Sequence, residues 1–96
     1  MSDYPYNFPE FAHKPFYLDY QIAKIESEVS EVNVALKDLI FSDGPMRVRA
    51  LASEIMDVIH ACETALRMVN DSYEVDLAEV REMTIEKNRV RGYYAD

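Results

Sequence analysis

Two short stretches of the chain read almost alike. SEVSEV, residues 27–32, carries Glu28 and Glu31, and SEIMDV, residues 53–58, carries Glu54 and Asp57. Each sets an acid three residues after a glutamate, inside an otherwise apolar helical pattern. At about 100° per residue, Glu28 and Glu31 lie about 100° and 160° to the same side of Val29, and Glu54 and Asp57 take the same offsets from Ile55. Each pair therefore shares one helix face. Ala35, Ala50, Ala61 and Ala65 are their small neighbours on that side and leave space between two helices. Four carboxylates drawn together repel one another, and partial burial makes their ionisation costlier. They must take up protons or hold cations, and hard oxygen ligands suit Mg²⁺, or Mn²⁺ in its place. The pattern predicts a magnesium site formed by Glu28, Glu31, Glu54 and Asp57, with positions open for substrate and water. One such pair alone reads as a solvated helix flank; two pairs with one offset argue against that.

The elements that must position these acids are helices. Ile22, Ile25, Val29, Val32, Leu36 and Leu39 step by three and four, which predicts a first helix over residues 19–40 with a seam for a partner helix. SDGP, residues 42–45, ends it: Gly44 suits a left-handed or turn position and Pro45 the first turn of the next helix. Val48, Ala52, Ile55, Ile59, Cys62, Leu66 and Val69 carry the same rhythm over residues 45–69, and Leu51, Val58, Ala61 and Ala65 widen that face. This second helix is expected to be central. Residues 70–72 are expected to break it, with Asp71 and Glu74 as a capping pair. A third helix follows over residues 73–90, with Leu77, Val80, Met83 and Val90 inward. If the first two helices fold back through SDGP, Glu31 and Glu54 stand at about equal distance from the turn, so all four acids converge. The expected class is all-α: three main helices with a central antiparallel hairpin, completing a four-helix-type bundle by oligomerisation. Residues 1–17, rich in proline and aromatic rings, form an arm ahead of a single helical domain over 18–96. The arm is expected to lay its rings on that domain, or to wall a ligand pocket or a subunit contact.

Composition narrows the partners. Ninety-six residues make one domain, and 49% apolar with 29% charged residues fits a globular chain. So short a chain buries a modest share of its surface, and self-association is expected. A net charge of −8 argues against nucleic acid or an anionic membrane as partner. Cys62 is the single cysteine and fits a reducing cytosol; no apolar run is long enough to span a membrane, and no secretory signal opens the chain. A cytoplasmic location is expected.

ExxE at Glu28 and Glu31 and ExxD at Glu54 and Asp57, with 22 residues between the motifs, resemble the MazG-like, all-α nucleoside triphosphate pyrophosphohydrolases. DVIHACETALR is similar to that family's second helix. KNRVRGYY, residues 87–94, looks like the basic end of its short phage-type members. The resemblance covers residues 18–94. It implies Mg²⁺-dependent cleavage of a nucleoside triphosphate between the α and β phosphates, with Glu28, Glu31, Glu54 and Asp57 on the metal. It also implies a homodimer or homotetramer whose sites are completed by neighbouring subunits. Phosphoribosyl-ATP pyrophosphohydrolases share the arrangement, so the substrate stays open.

Such chemistry needs an activated water and a gripped polyphosphate. Glu31 is assigned to the water as catalytic base. Lys87, Asn88 and Arg91 are assigned to the phosphates, with Gly92 ending the third helix so that Tyr93 and Tyr94 turn back over the site. The plainer reading of the basic cluster is a helix C-terminus favoured by its dipole. His60, three residues after Asp57, is expected to point away from the acids in a structural role. Lys24, one turn before Glu28, either offsets the acids or meets a phosphate. Aromatic stacking on a base by Phe16, Tyr17, Tyr20 or Tyr93 stays open. A non-enzymatic alternative is an acidic helical interaction module that binds another helix and needs no metal.

Overall fold

Helix α1, Leu18–Phe41, begins directly after the proline-rich arm. The structure, a computed structural model, describes residues 4–95. Helix α2 covers Pro45–Tyr73 and α3 covers Leu77–Val90; there is no strand among the described residues. Ser42 closes α1 by donating its N–H to the Asp38 carbonyl. Pro45 opens α2, where its missing N–H costs nothing. Gly44 is fully extended (φ 160°, ψ 159°) rather than left-handed, and its carbonyl accepts from Arg47 and Val48.

Helices α1 and α2 form an antiparallel hairpin. Gln21 reaches Ala61, Glu28 meets Glu54 and Asp57, and Asp38 shares a cleft with Met46, so position rises on one helix as it falls on the other. The contact does not run along the whole expected seam. Gln21, Ile25, Glu28, Val32, Ala35 and Leu39 are the more buried side of α1; Leu51, Glu54, Val58, Ala61, Ala65 and Met68 are that of α2. Ile22, Val29, Leu36, Val48, Ile55 and Ile59, all expected inward, are 38–51% exposed. The hairpin has closed on a line rotated toward the acids. Alanines explain the choice, since Ala35, Ala61 and Ala65 let the helices approach more closely than a row of isoleucines would. The buried Gln21 amide locks the line by donating to the Ala61 carbonyl at 2.9 Å.

The second expected boundary lies elsewhere. Residues 70–72 do not break α2, which continues to Tyr73. Glu74 ends it by taking the left-handed conformation (φ 52°, ψ 46°) while its N–H caps the Asn70 carbonyl. The side chain that caps α3 is Asp76, accepting from the Glu79 N–H at 3.2 Å, and not Asp71. Asp71 and Ser72 are exposed and lie within the last turn of α2, so their polar groups meet water without leaving the helix. Leu77 is buried at the start of α3, but Val80, Met83 and Val90, expected inward, are exposed. Gly92 does end α3 as expected: at φ 77°, its N–H reaches the Arg89 carbonyl and that of Tyr93 reaches Asn88, a Schellman closure.

Helix α3 makes only slight contact with the hairpin, and the radius of gyration is 16.0 Å. A compact domain of this length has about 12.5 Å. If Asp76 is the cap, Asp76→Ala costs about 1 kcal/mol in urea unfolding and Asp71→Ala costs almost nothing. Equal losses at both positions would contradict the boundary described here.

Candidate metal centre

Glu28 on α1 and Glu54 and Asp57 on α2 each offer a carboxylate oxygen, and the three oxygens lie within 4.8 Å of one another. Glu28 and Glu54 are half-buried because their helix faces meet in the hairpin; Asp57 is exposed at its edge. Glu31 stands outside this trio. It is exposed and shares a second cleft with Glu54, Asp38 and Arg47. The structure thus brings three of the four acids to one point and sets the fourth beside Glu54.

Electrostatics follow from this crowding. Partial burial, and then the charges of Asp57, Glu31 and Glu28, push the Glu54 carboxyl above the ordinary carboxylate range. Lys24 answers part of the charge: its Nζ lies 2.8 Å from Glu28 Oε1. That hydrogen bond, then the charges of Glu28, Asp57 and Glu31, raise the Lys24 ammonium. Its side chain is largely exposed, so it can swing to another anion.

A cavity of about 550 Å³ adjoins the acids, with Glu28, Asp57 and Lys24 in its wall. Phe11, Tyr20 and His60 also line it. His60 had been expected to point away from the acidic side. It lies three residues after Asp57, about 60° round the helix, and the cavity is wide enough to take in both. Its role is structural: Phe8 and Phe11 stack on the imidazole at 4.8 and 4.2 Å, both 16° from parallel, and Nε2 meets the Pro9 carbonyl at 3.1 Å.

Two residues without a distinctive local motif, Glu63 and Arg67, hold the arm in place. Buried Glu63 accepts from the Asn7 N–H (2.8 Å), Asn7 Nδ2 (3.0 Å) and the Phe8 N–H (2.9 Å). Arg67, one turn on, donates Nη2 to the Phe8 carbonyl at 2.9 Å and lies 3.9 Å over the Tyr6 ring. A glutamate and an arginine four apart within the apolar pattern of α2 were the available signal. Burial pushes the Cys62 thiol up, as befits a packing residue.

Lys87, Asn88, Arg91 and Tyr94 sit at the far end of α3 and line neither cavity. Arg89 pairs with Glu86 on the same helix. No described helix is long and apolar enough to cross a membrane. Comparison of the chain with protein-family models, curated proteins and solved structures gives no match.

A raised carboxyl binds its proton more tightly in the folded state than in the unfolded one. Its contribution is therefore favourable at low pH and is lost as pH rises through the folded pKa. Glu54→Gln, which mimics the protonated acid, is expected to stabilise the metal-free chain at neutral pH. That advantage shrinks as pH falls toward the ordinary carboxylate range. Thermal unfolding of both forms across pH 4–8 checks this; a difference that is flat, or grows on acidification, contradicts the crowding of Glu54.

Proposed function

We propose that the chain is a Mg²⁺-dependent nucleoside triphosphate pyrophosphohydrolase, converting a nucleoside or deoxynucleoside triphosphate to its monophosphate and pyrophosphate. One observation supports the reading: three carboxylates from two helices converge within 4.8 Å, and two of them line a cavity that the exposed Lys24 ammonium also lines. The donor set fits the ion. Ligands of one Mg²⁺, each about 2.1 Å from it, stand about 3–4 Å apart, a distance that small side-chain rotations reach from the observed spacing. Three carboxylates also leave coordination positions for water and phosphate oxygens.

Bound there, the ion would neutralise polyphosphate charge and supply Lewis acidity. The protein groups then have separate tasks. Glu28, Glu54 and Asp57 hold the ion, and Lys24 turns from Glu28 to a phosphate oxygen. Glu31, exposed and outside the trio, takes the proton of the attacking water. The water oxygen bonds to the α-phosphorus, the bond from that phosphorus to the α–β bridging oxygen breaks, and pyrophosphate leaves with the electron pair.

The reading includes a dimer or tetramer, in which Lys87, Asn88, Arg91 and Tyr94 of a neighbouring copy meet the phosphates. Its support is the apolar surface of Ile22, Val29, Leu36, Val48, Ile55 and Ile59, together with an α3 that stands off its own hairpin. The same exposed surface favours the second reading, a non-catalytic helical interaction module. Within the enzymatic reading, a phosphoribosyl-ATP-like substrate is the variant that the motif resemblance allows.

Incubation with a panel of nucleoside triphosphates and Mg²⁺ is expected to release pyrophosphate, with Mn²⁺ able to substitute and chelator abolishing it. Glu54→Gln and Asp57→Asn should each lower kcat/KM by about 10²-fold or more. Release of orthophosphate instead means a different bond is cut. No cleavage of any triphosphate, with association intact by sedimentation, favours the interaction module.

A further inference from the structure

We infer that the cavity beside the acids receives the nucleoside end of a nucleotide, and that the N-terminal arm, by walling it, determines which base is accepted. The inference rests on the reading of the acids as the phosphate end. Its independent support is the make-up of the cavity. About 550 Å³ is within the ordinary range for a small-molecule site. Its lining includes charged groups, Glu28, Asp57 and Lys24, and the aromatic rings of Phe11 and Tyr20. A base has two π faces and suits the second, while its phosphates suit the first.

The aromatic wall is built rather than incidental. Phe11 comes from a segment with no regular secondary structure, yet its ring is fixed by stacking on His60 at 4.2 Å. The chain ahead of it is tied down by the three hydrogen bonds into Glu63 and by Arg67 on the Phe8 carbonyl. Gln21 supplies a polar edge: it lines the cavity, is 3% exposed, and its amide plane is set by the bond to the Ala61 carbonyl. A carboxamide has a second N–H and an acceptor oxygen with which to read a ring edge. A ring held by stacking and an amide held by a hydrogen bond, beside charged groups in one cavity, suit a base better than a general apolar ligand.

Unphosphorylated nucleosides isolate this site from the metal chemistry. The full chain, metal-free, is titrated with adenosine, guanosine, cytidine and thymidine while the NMR signals of Phe11, Tyr20, His60 and Gln21 are followed. At least one nucleoside is expected to shift these signals saturably. Phe11→Leu, and separately Tyr20→Leu, should weaken that binding about tenfold with helicity unchanged. Nucleosides that leave the cavity signals unmoved, or bind both variants as well as the parent, overturn the inference. The hydrolase reading fails separately: nucleoside binding by a parent protein that cleaves no triphosphate leaves the base site standing, whereas cleavage without cavity binding leaves the enzyme and removes the arm's role.

Discussion

Carboxylates set into the contact between two helices are a burden that the rest of this structure accommodates. Glu28 and Glu54 lie where α1 and α2 meet, and Asp57 stands at the edge of the same contact. An apolar pair at these positions would stabilise the hairpin; acids oppose it through desolvation and mutual repulsion. Lys24 neutralises only Glu28 directly, and the raised Glu54 carboxyl records what is left. The helices approach despite this because alanines line the contact and the Gln21 amide bridges them. A contact that works against its own stability is typical of a site kept for chemistry, where local rules are broken and compensated elsewhere.

The arm shows the same use of buried polar groups for position. Residues 4–17 have no helix or strand to satisfy their backbone, so each N–H and carbonyl near the domain must find a partner. Glu63 takes two N–H groups of the main chain and one of the Asn7 side chain, and Arg67 takes the Phe8 carbonyl. Hydrogen bonds to charged partners are stronger than neutral ones. They hold an irregular segment in one place, which apolar rings alone would let slide. The rings of Phe8 and Phe11 then stack on His60, and the wall of the cavity follows from that anchoring.

Helical class, the hairpin and the meeting of three of the four acids were legible in the sequence because each depends on periodicity and on distance from a turn. A three-four rhythm fixes which residues share a face, and SDGP fixes how the two helices register. The rotation of the contact was not legible. Both stripes are wider than one interface needs, and periodicity alone does not say which edge of a wide stripe is used. Small residues mark the edge that was used: Ala35 and Ala61 are buried in the contact, while the larger residues of the stripe stay exposed. Glu31 fell outside the trio for the same reason, since a rotation of part of a turn separates residues three apart. The break after α2 was misplaced because Asp71 and Ser72 carry turn-forming side chains in a place where the helix tolerates them. Glu63 and Arg67 bind an arm far away in sequence, and local patterns carry no information about contacts over more than fifty residues.

The rotated contact has a consequence for the unused side of each helix. Ile22, Val29 and Leu36 recur every seven residues on α1, and Val48 and Ile55 do so on α2. Exposed rows of this kind are the seams of helix–helix association. The hairpin, turning toward its acids, has left them open. On the proposed reading a second copy covers them, and that cover would do more than bury apolar area. Excluding water from the flank of the hairpin lowers the dielectric around Glu28 and Glu54, so their repulsion grows as association proceeds. Protons or a divalent cation must then answer more charge in the assembly than in the single chain. Association and cation binding would thus be linked: each makes the other more favourable, through the same crowded carboxylates.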